Sequence, residues 1–247
     1  MKLLEAIQSL GVEESLKCAR ELSVELNLDW DADIRFVFSV IANDVARIPG
    51  NVSGKTAELA IKKWLEKIKA GFDNRPSQRI SNLPGTVADP IIETIIKARL
   101  GQLSVDDLVK IIFAHRLSMS AENLLGLLLE EYLAIRLREY GWHCAWGETV
   151  KLVDFVSEQG VLLQVKNRSN SENSASGSVR AGTAIVKWHR IEADRIEYRW
   201  EELNQICGTK ELLSEIDFVE FAISSVKQNP SSLAIEKDNP WKSDSPI

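Results

Sequence analysis

The sequence predicts an α/β (α+β) fold with a helical N-terminal region, on three observations. Apolar residues recur at threes and fours as far as about Leu117, short alternating or β-branched runs follow Gly141, and one longer helix joins the two parts. The chain has 247 residues, 45% of them apolar, which is enough for a sizeable core in one large domain or two small ones.

In the first part Leu3, Leu4, Ile7 and Leu10 form one amphipathic repeat, and Leu59, Ile61, Trp64, Leu65 and Ile68 another. Breaks fall at 29–31, at Pro49-Gly50, between 74 and 85 where Pro76 and Pro84 stand, and at Asp89-Pro90. A residue before proline is driven out of the helical region, so roughly six short helices are expected. The longer helix is expected over Ala121–Tyr140, with Ser120 as N-cap, Glu122 in the electropositive first turn and Gly141 as the stop. Cys144–Val150, Leu152–Ser157 and Val161–Val165 then read as an antiparallel meander turning at Gln159-Gly160.

From Asn167 to Gly182 the chain is polar and serine-rich, a connection longer than most, which favours a functional role or disorder. Trp200–Cys207 reads as a helix ended by Gly208, Phe218–Ile223 as a final strand, and the residues from Gln228 onward as an exposed arm. The resulting boundaries are a helical region over 1–118, a core over 119–227 and a tail over 228–247.

Cys18, Cys144 and Cys207 are odd in number and far apart, which argues against a disulfide framework or a zinc knuckle. His115, His143 and His189 include no i, i+4 pair and are read as structural or surface residues. No apolar run approaches the roughly 20 residues of a membrane span, and Met1–Leu10 does not read as a secretory signal, so a cytoplasmic location is expected. The net charge of -6 argues against nonspecific coating of nucleic acid. From 164 to 190, however, Lys166, Arg168, Arg180, Lys187 and Arg190 face Glu172 as the one acid, which suits a protein that meets phosphates in a single cleft.

A hairpin at Gly160 brings Asp154 beside Gln164-Val165-Lys166, and the period of two puts Gln164 and Lys166 on one face. Asp154 sits in the apolar run Leu152–Val156, where an unpaired carboxylate is costly and a metal ion would supply the countercharge. Phosphodiester hydrolysis needs a hard cation held by oxygens. Asp154, the Gln164 amide and the Val165 carbonyl can supply them, and Lys166 can orient the attacking water. A second acid is expected from Glu130-Glu131. Glu130 is favoured because Gly126 and Ala134, one turn away on either side, let that helix face approach a sheet closely; Glu131 stays open.

Gly126-x3-Glu130, Gly141-Trp142, Asp154 and Gln164-Val165-Lys166 resemble the PD-(D/E)XK nuclease core, in the variant where Gln replaces an acid and Val153 stands where the motif name has Pro. The resemblance covers roughly 120–166. It implies a mixed sheet flanked by helices, dependence on Mg²⁺ with Mn²⁺ able to stand in, and cleavage of double-stranded DNA. The segment from Lys166 through Arg180 and Gly182 to Arg190 resembles restriction endonucleases of the SinI and AvaII type, which cut 5′-GGWCC. That implies a homodimer on a palindromic site and a companion DNA methyltransferase acting on the same site.

In a loop over 167–190, Arg168, Asn170, Glu172, Asn173 and Arg180 are the candidates for reading bases, since Arg grips guanine and Glu accepts from cytosine. Thr183, Lys187 and Arg190 are expected at phosphates. Trp188 is expected as a core anchor. Two alternatives stay open: a repair or modification-directed nuclease on the same core, and a non-catalytic DNA-binding regulator.

Overall fold

The computed structural model describes residues 1–83, 85, 89–169 and 184–242. Helices α1 (Leu3–Leu10) and α2 (Val12–Glu25) are separated by Gly11, whose φ of 78° turns the chain at no steric cost. A π-helical turn, Trp30–Ile34, leads into α3 (Arg35–Asn43). Helix α4 (Ala57–Asp73) starts at Thr56, whose hydroxyl accepts from the Leu59 N–H at 3.2 Å. Both α1 and α2 pack on α4. The opposite side of α4 carries the fully buried Trp64, whose Nε1 donates to the Thr149 carbonyl at 2.9 Å. One indole thus fastens the N-terminal helices to the loop that leads toward Asp154.

Helix α5 (Pro90–Arg99) is capped by Asp89, which accepts from the Ile91 N–H, and none of its residues is buried. Helix α6 runs from Val105 to Leu137, so the helix expected from Ala121 starts well before it. Its N-cap is Ser104, not Ser120. The Ser104 hydroxyl accepts from the Asp107 N–H (3.1 Å), and the Asp107 carboxylate accepts from the Ser104 N–H (3.0 Å). No proline or glycine follows before Gly126, so nothing halts propagation through Ser120. The expected boundary at 118 therefore falls inside a continuous helix. Leu108 is the buried residue of its first half, whereas Leu124, Leu128, Leu129, Tyr132, Leu133 and Leu137 bury the second.

Among the described residues four strands, β1 (Trp142–Cys144), β2 (Phe155–Ser157), β3 (Leu162–Arg168) and β4 (Ile185–Ile191), form one sheet in the order β1-β2-β3-β4. The first three are antiparallel, as the meander predicts, and Gly160 (φ 84°) makes the turn. The fourth joins β3 in parallel, which requires a crossover and makes the sheet mixed. Strand β1 precedes the run Cys144–Val150 expected as a strand and shares only Cys144 with it: the chain leaves the sheet after Cys144.

Helix α7 (Trp200–Cys207) ends at Gly208 in the left-handed region (φ 70°), as expected. The run 218–223 is not a strand but part of α8 (Glu215–Gln228). Trp188 packs against Trp200, with centroids 5.2 Å apart, and Trp200 meets Tyr132 and Phe218 at 5.8 Å each, joining β4, α6, α7 and α8. The chain beyond Gln228 is not an arm as far as it is described. The Asn229 side chain donates to the Pro76 and Arg79 carbonyls at 2.8 Å, and Glu236 pairs with Arg116 at 2.8 Å. Residues 243–247 lie outside the described residues. The three cysteines are free, and no helix among the described residues is long and apolar enough to cross a membrane.

Candidate active site

Asp154 is the residue immediately before β2, and main-chain groups of β3 hold it. Its N–H donates to the Leu163 carbonyl (2.9 Å), and its Oδ2 accepts from the Val165 N–H (2.7 Å). In the register of β3 and β4, Gln164 is opposite Lys187 and Lys166 opposite His189, so these four share one face. Val165 is opposite Trp188 on the other face.

The second half of α6 packs on β1 and β3 and brings Glu130 to the end of that strand pair. Glu130, Asp154, Val165 and Lys166 line one hollow of about 270 Å³, together with Cys144, Trp146, Gly147 and Glu148. Burial pushes the Glu130 carboxyl up to about 7; the negative charge of Asp154 adds to this, and Lys166 opposes it. Burial also raises Asp154, against the pull of the Val165 N–H and of Lys166. Two acids thus share a hollow where the Lys166 ammonium does not fully offset their charge, the setting a divalent cation would relieve. Among the described residues no three His, Cys, Asp or Glu side chains form a cluster that could hold an ion. Gln164, expected beside them, lines an adjoining hollow with Asp154 and Lys166 and not the one that holds Glu130; two carboxylates and main-chain oxygens are the kind of donor a hard cation accepts alongside waters and a substrate phosphate.

Glu131 faces away. It is 3% exposed, accepts from the Ser77 N–H (3.0 Å) and hydroxyl, and pairs with Arg75 at 3.4 Å. The sequence could not separate the two glutamates outright; the packing places Glu130 on the hollow and Glu131 in a structural ion pair.

The sequence reading missed Glu148, which lines the hollow and raises the proton affinity of both Glu130 and Asp154. Gly147 and Glu148 (φ 73° and 55°) form a left-handed turn where a strand was expected, and Leu152 (φ 64°) is left-handed as well. A non-glycine residue costs about 1–3 kcal/mol in this region, and such residues gather at functional sites. The turn sits against α4 so closely that a Cβ on Gly71 would lie 2.3 Å from the Gly147 nitrogen. Glycine at 71 is what lets the N-terminal helices reach the site.

Of the residues expected at DNA, Arg168 is exposed at the end of β3 and Lys187 is exposed within β4, opposite Gln164. Arg190 is buried instead: its guanidinium donates to Glu215 and to Asn167 (2.9 Å), tying β4 to α8 and not facing a phosphate. Asn170, Glu172, Asn173, Arg180 and Thr183 lie outside the described residues. The stem of their loop is fastened. Ser169 donates from its hydroxyl to Glu192 (3.0 Å) and from its N–H to the Ile191 carbonyl (3.1 Å), and Glu192, held down to about 2 by His189, Arg199 and Ser169, bonds all three. Of the histidines, His189 is committed to Glu192 in this way, and His143 stacks on Phe36 with centroids 3.9 Å apart. Both fit the structural roles expected.

Compared with known proteins, the chain matches the model of the SinI restriction endonuclease family over residues 54–228. It is similar to the type II restriction enzyme SinI of Salmonella infantis, 30% identical over 220 residues that cover 85% of this chain and 95% of that one. It is also similar to the type II restriction enzyme Eco47I of Escherichia coli, 36% identical over 165 residues, 65% of this chain and 71% of that one.

Proposed function

The chain belongs to the SinI restriction endonuclease family of type II, site-specific endodeoxyribonucleases, and from that premise we propose that Asp154, Gln164 and Lys166, with Glu130, form the Mg²⁺-dependent centre that hydrolyses its DNA phosphodiesters. The observation that carries this reading is the convergence of Glu130, Asp154 and Lys166 on one hollow from a helix, a strand lead-in and the neighbouring strand. The same arrangement, with the mixed sheet, supports a PD-(D/E)XK core that begins within α6 and is preceded by the helical region.

Bound between the Asp154 and Glu130 carboxylates, the Gln164 amide and the Val165 carbonyl, Mg²⁺ would supply charge stabilisation and a more acidic water. The protein's own groups do the rest. The Val165 N–H fixes the Asp154 carboxylate and leaves its other oxygen toward the hollow. Lys166 orients the attacking water and faces the charge that builds on the phosphoryl oxygens.

Specificity resides in the segment between β3 and β4, the strands that carry Lys166 and Lys187. Arg168, Asn170, Glu172, Asn173 and Arg180 read base edges, and Thr183 and Lys187 meet phosphates. The target is a short G·C-rich palindrome such as 5′-GGWCC, protected in the host cytoplasm by a methyltransferase acting on the same site. One centre per chain and a palindromic target are met by a two-fold homodimer. The α5 surface, with Ile91, Ile92 and Ile95 each at least 49% exposed, favours such a partner. Sedimentation should give about twice the 27.7 kDa chain mass; a single-chain mass on a bound duplex would remove the dimer.

Incubating the purified protein with unmethylated phage DNA and Mg²⁺ should yield discrete fragments whose ends share one sequence. EDTA should stop the cutting, and Mn²⁺ added in excess of the chelator should restore it. Intact DNA with every metal, from folded protein, would overturn the proposed centre.

A further inference from the structure

A second hollow, of about 390 Å³, adjoins the first and shares Glu148, Asp154 and Lys166 with it. Its other walls come from the helical N-terminal region and the loop before β2: Pro49, Gly50 and Asn51 on one side, Lys67 of α4 beneath, Lys151 and Leu152 opposite. Lys67 is held in place, its ammonium donating to the Asn51 amide oxygen and the Glu148 carbonyl at 3.1 Å each. Both acceptors are uncharged. Lys151 is exposed on its turn, anchored by a 2.8 Å bond from its N–H to the Arg47 carbonyl.

Among the described residues, neither Lys67, Lys151 nor Lys166 forms a salt bridge, although the chain carries net negative charge and pairs many of its other cations. Lys166 is engaged with the Asp154 and Glu130 carboxylates, but Lys67 and Lys151 bring two further ammoniums with no salt-bridge partner to the same hollow, an electrostatic footprint for an anion. Because the two hollows share Glu148, Asp154 and Lys166 as walls, a strand lying in the first would continue along the second. Successive phosphates follow every ~3.4 Å of duplex axis along a strand, so the phosphate beside the one being cut would enter this lobe.

We propose that this lobe seats the DNA backbone phosphate next to the scissile one, with Lys67 and Lys151 as its cationic contacts. This gives the N-terminal helices a role in holding substrate, and it rests on the reading of Asp154 and Lys166 as the cutting centre.

The test is the salt dependence of duplex binding, with Ca²⁺ replacing Mg²⁺ to hold the complex before cleavage. It compares the wild type, Lys67→Gln, Lys151→Gln, the double variant and Lys67→Arg on duplexes with and without the recognition sequence. Losing one phosphate contact flattens the slope of log K against log salt by about 0.9; since both lysines serve one phosphate in each subunit of the proposed dimer, the double variant should lose about twice that and each single variant less. The loss should be the same on both duplexes, since a phosphate carries no sequence. Lys67→Arg, which keeps the charge, should keep the slope. Because Lys151 is exposed, its substitution leaves the fold intact and decides the matter if Lys67→Gln melts early. Unchanged slopes in Lys151→Gln and the double variant would overturn the proposal. If the wild type still cuts DNA in Mg²⁺, that result removes the phosphate seat alone; if it does not cut, the centre itself has failed.

Discussion

Asp154→Asn is expected to lower the single-turnover rate of DNA cleavage by about 10³-fold, the upper range for removing one charge-stabilising group from a reacting centre. Asparagine keeps the shape, and its amide oxygen can still accept the Val165 N–H that the carboxylate accepts at 2.7 Å. What disappears is the charge that would hold a cation. Lys166→Ala should fall by about 10²-fold or more, through loss of the group facing the phosphoryl oxygens. Both variants should melt close to the wild type and still shift a cognate duplex on a gel. Asp154→Asn cutting at the wild-type rate would move the chemistry elsewhere.

Glu130→Gln should produce the next largest effect, and its sign depends on the metal. In the metal-free protein the Glu130 carboxyl is raised from 4.5 to about 7, so between those values the folded state binds a proton that the unfolded chain has released. Stability therefore falls as pH rises from about 5 to 7, by an amount on the order of 2–3 kcal/mol after allowance for partial exposure. Glu130→Gln should abolish that decline and melt above the wild type at pH 8 in EDTA. Because a metal ligand must be deprotonated, Mg²⁺ affinity of the wild type should drop as pH falls below about 7. The variant should bind Mg²⁺ weakly at every pH. Melting curves in EDTA from pH 5 to 8, with Mg²⁺ titrations, check both parts; parallel pH profiles for the two proteins would exclude this role for Glu130.

The strand pair that carries Asp154, Gln164 and Lys166 was legible because its determinants are local: a glycine turn at 160 and a period of two. The preference for Glu130 over Glu131 rested on small residues one turn away, and that reason does not hold: a Cβ on Gly126 would meet nothing within 4 Å, and Ala134 lines a different hollow with Glu131, so only packing separates the two glutamates. Glu148 was hidden. Cys144–Val150 looks like a strand, and nothing in its composition announces that the chain leaves the sheet at Ala145 to make a left-handed turn against Gly71. Strand β4 was masked by its charges, since Lys187 and His189 on one face alternate with Trp188 and Arg190 on the other, and its partner is non-local. The run 218–223 misled in the opposite sense: a short apolar stretch has no period of its own, and the i, i+3, i+4 relation of Phe218, Phe221 and Ala222 emerges only against Tyr132. The N-terminal helices were visible as helices, but their reach into the site depends on contacts between residues some 80 positions apart, such as Trp64 with Thr149.

No proline interrupts α6, and at 1.5 Å per residue its 33 residues make a shaft about 50 Å long. Near one end Val105 and Val109 face solvent while Leu108 is buried; near the other rides Glu130. One unbroken rod therefore joins an apolar patch of surface to the residue that reaches the candidate centre.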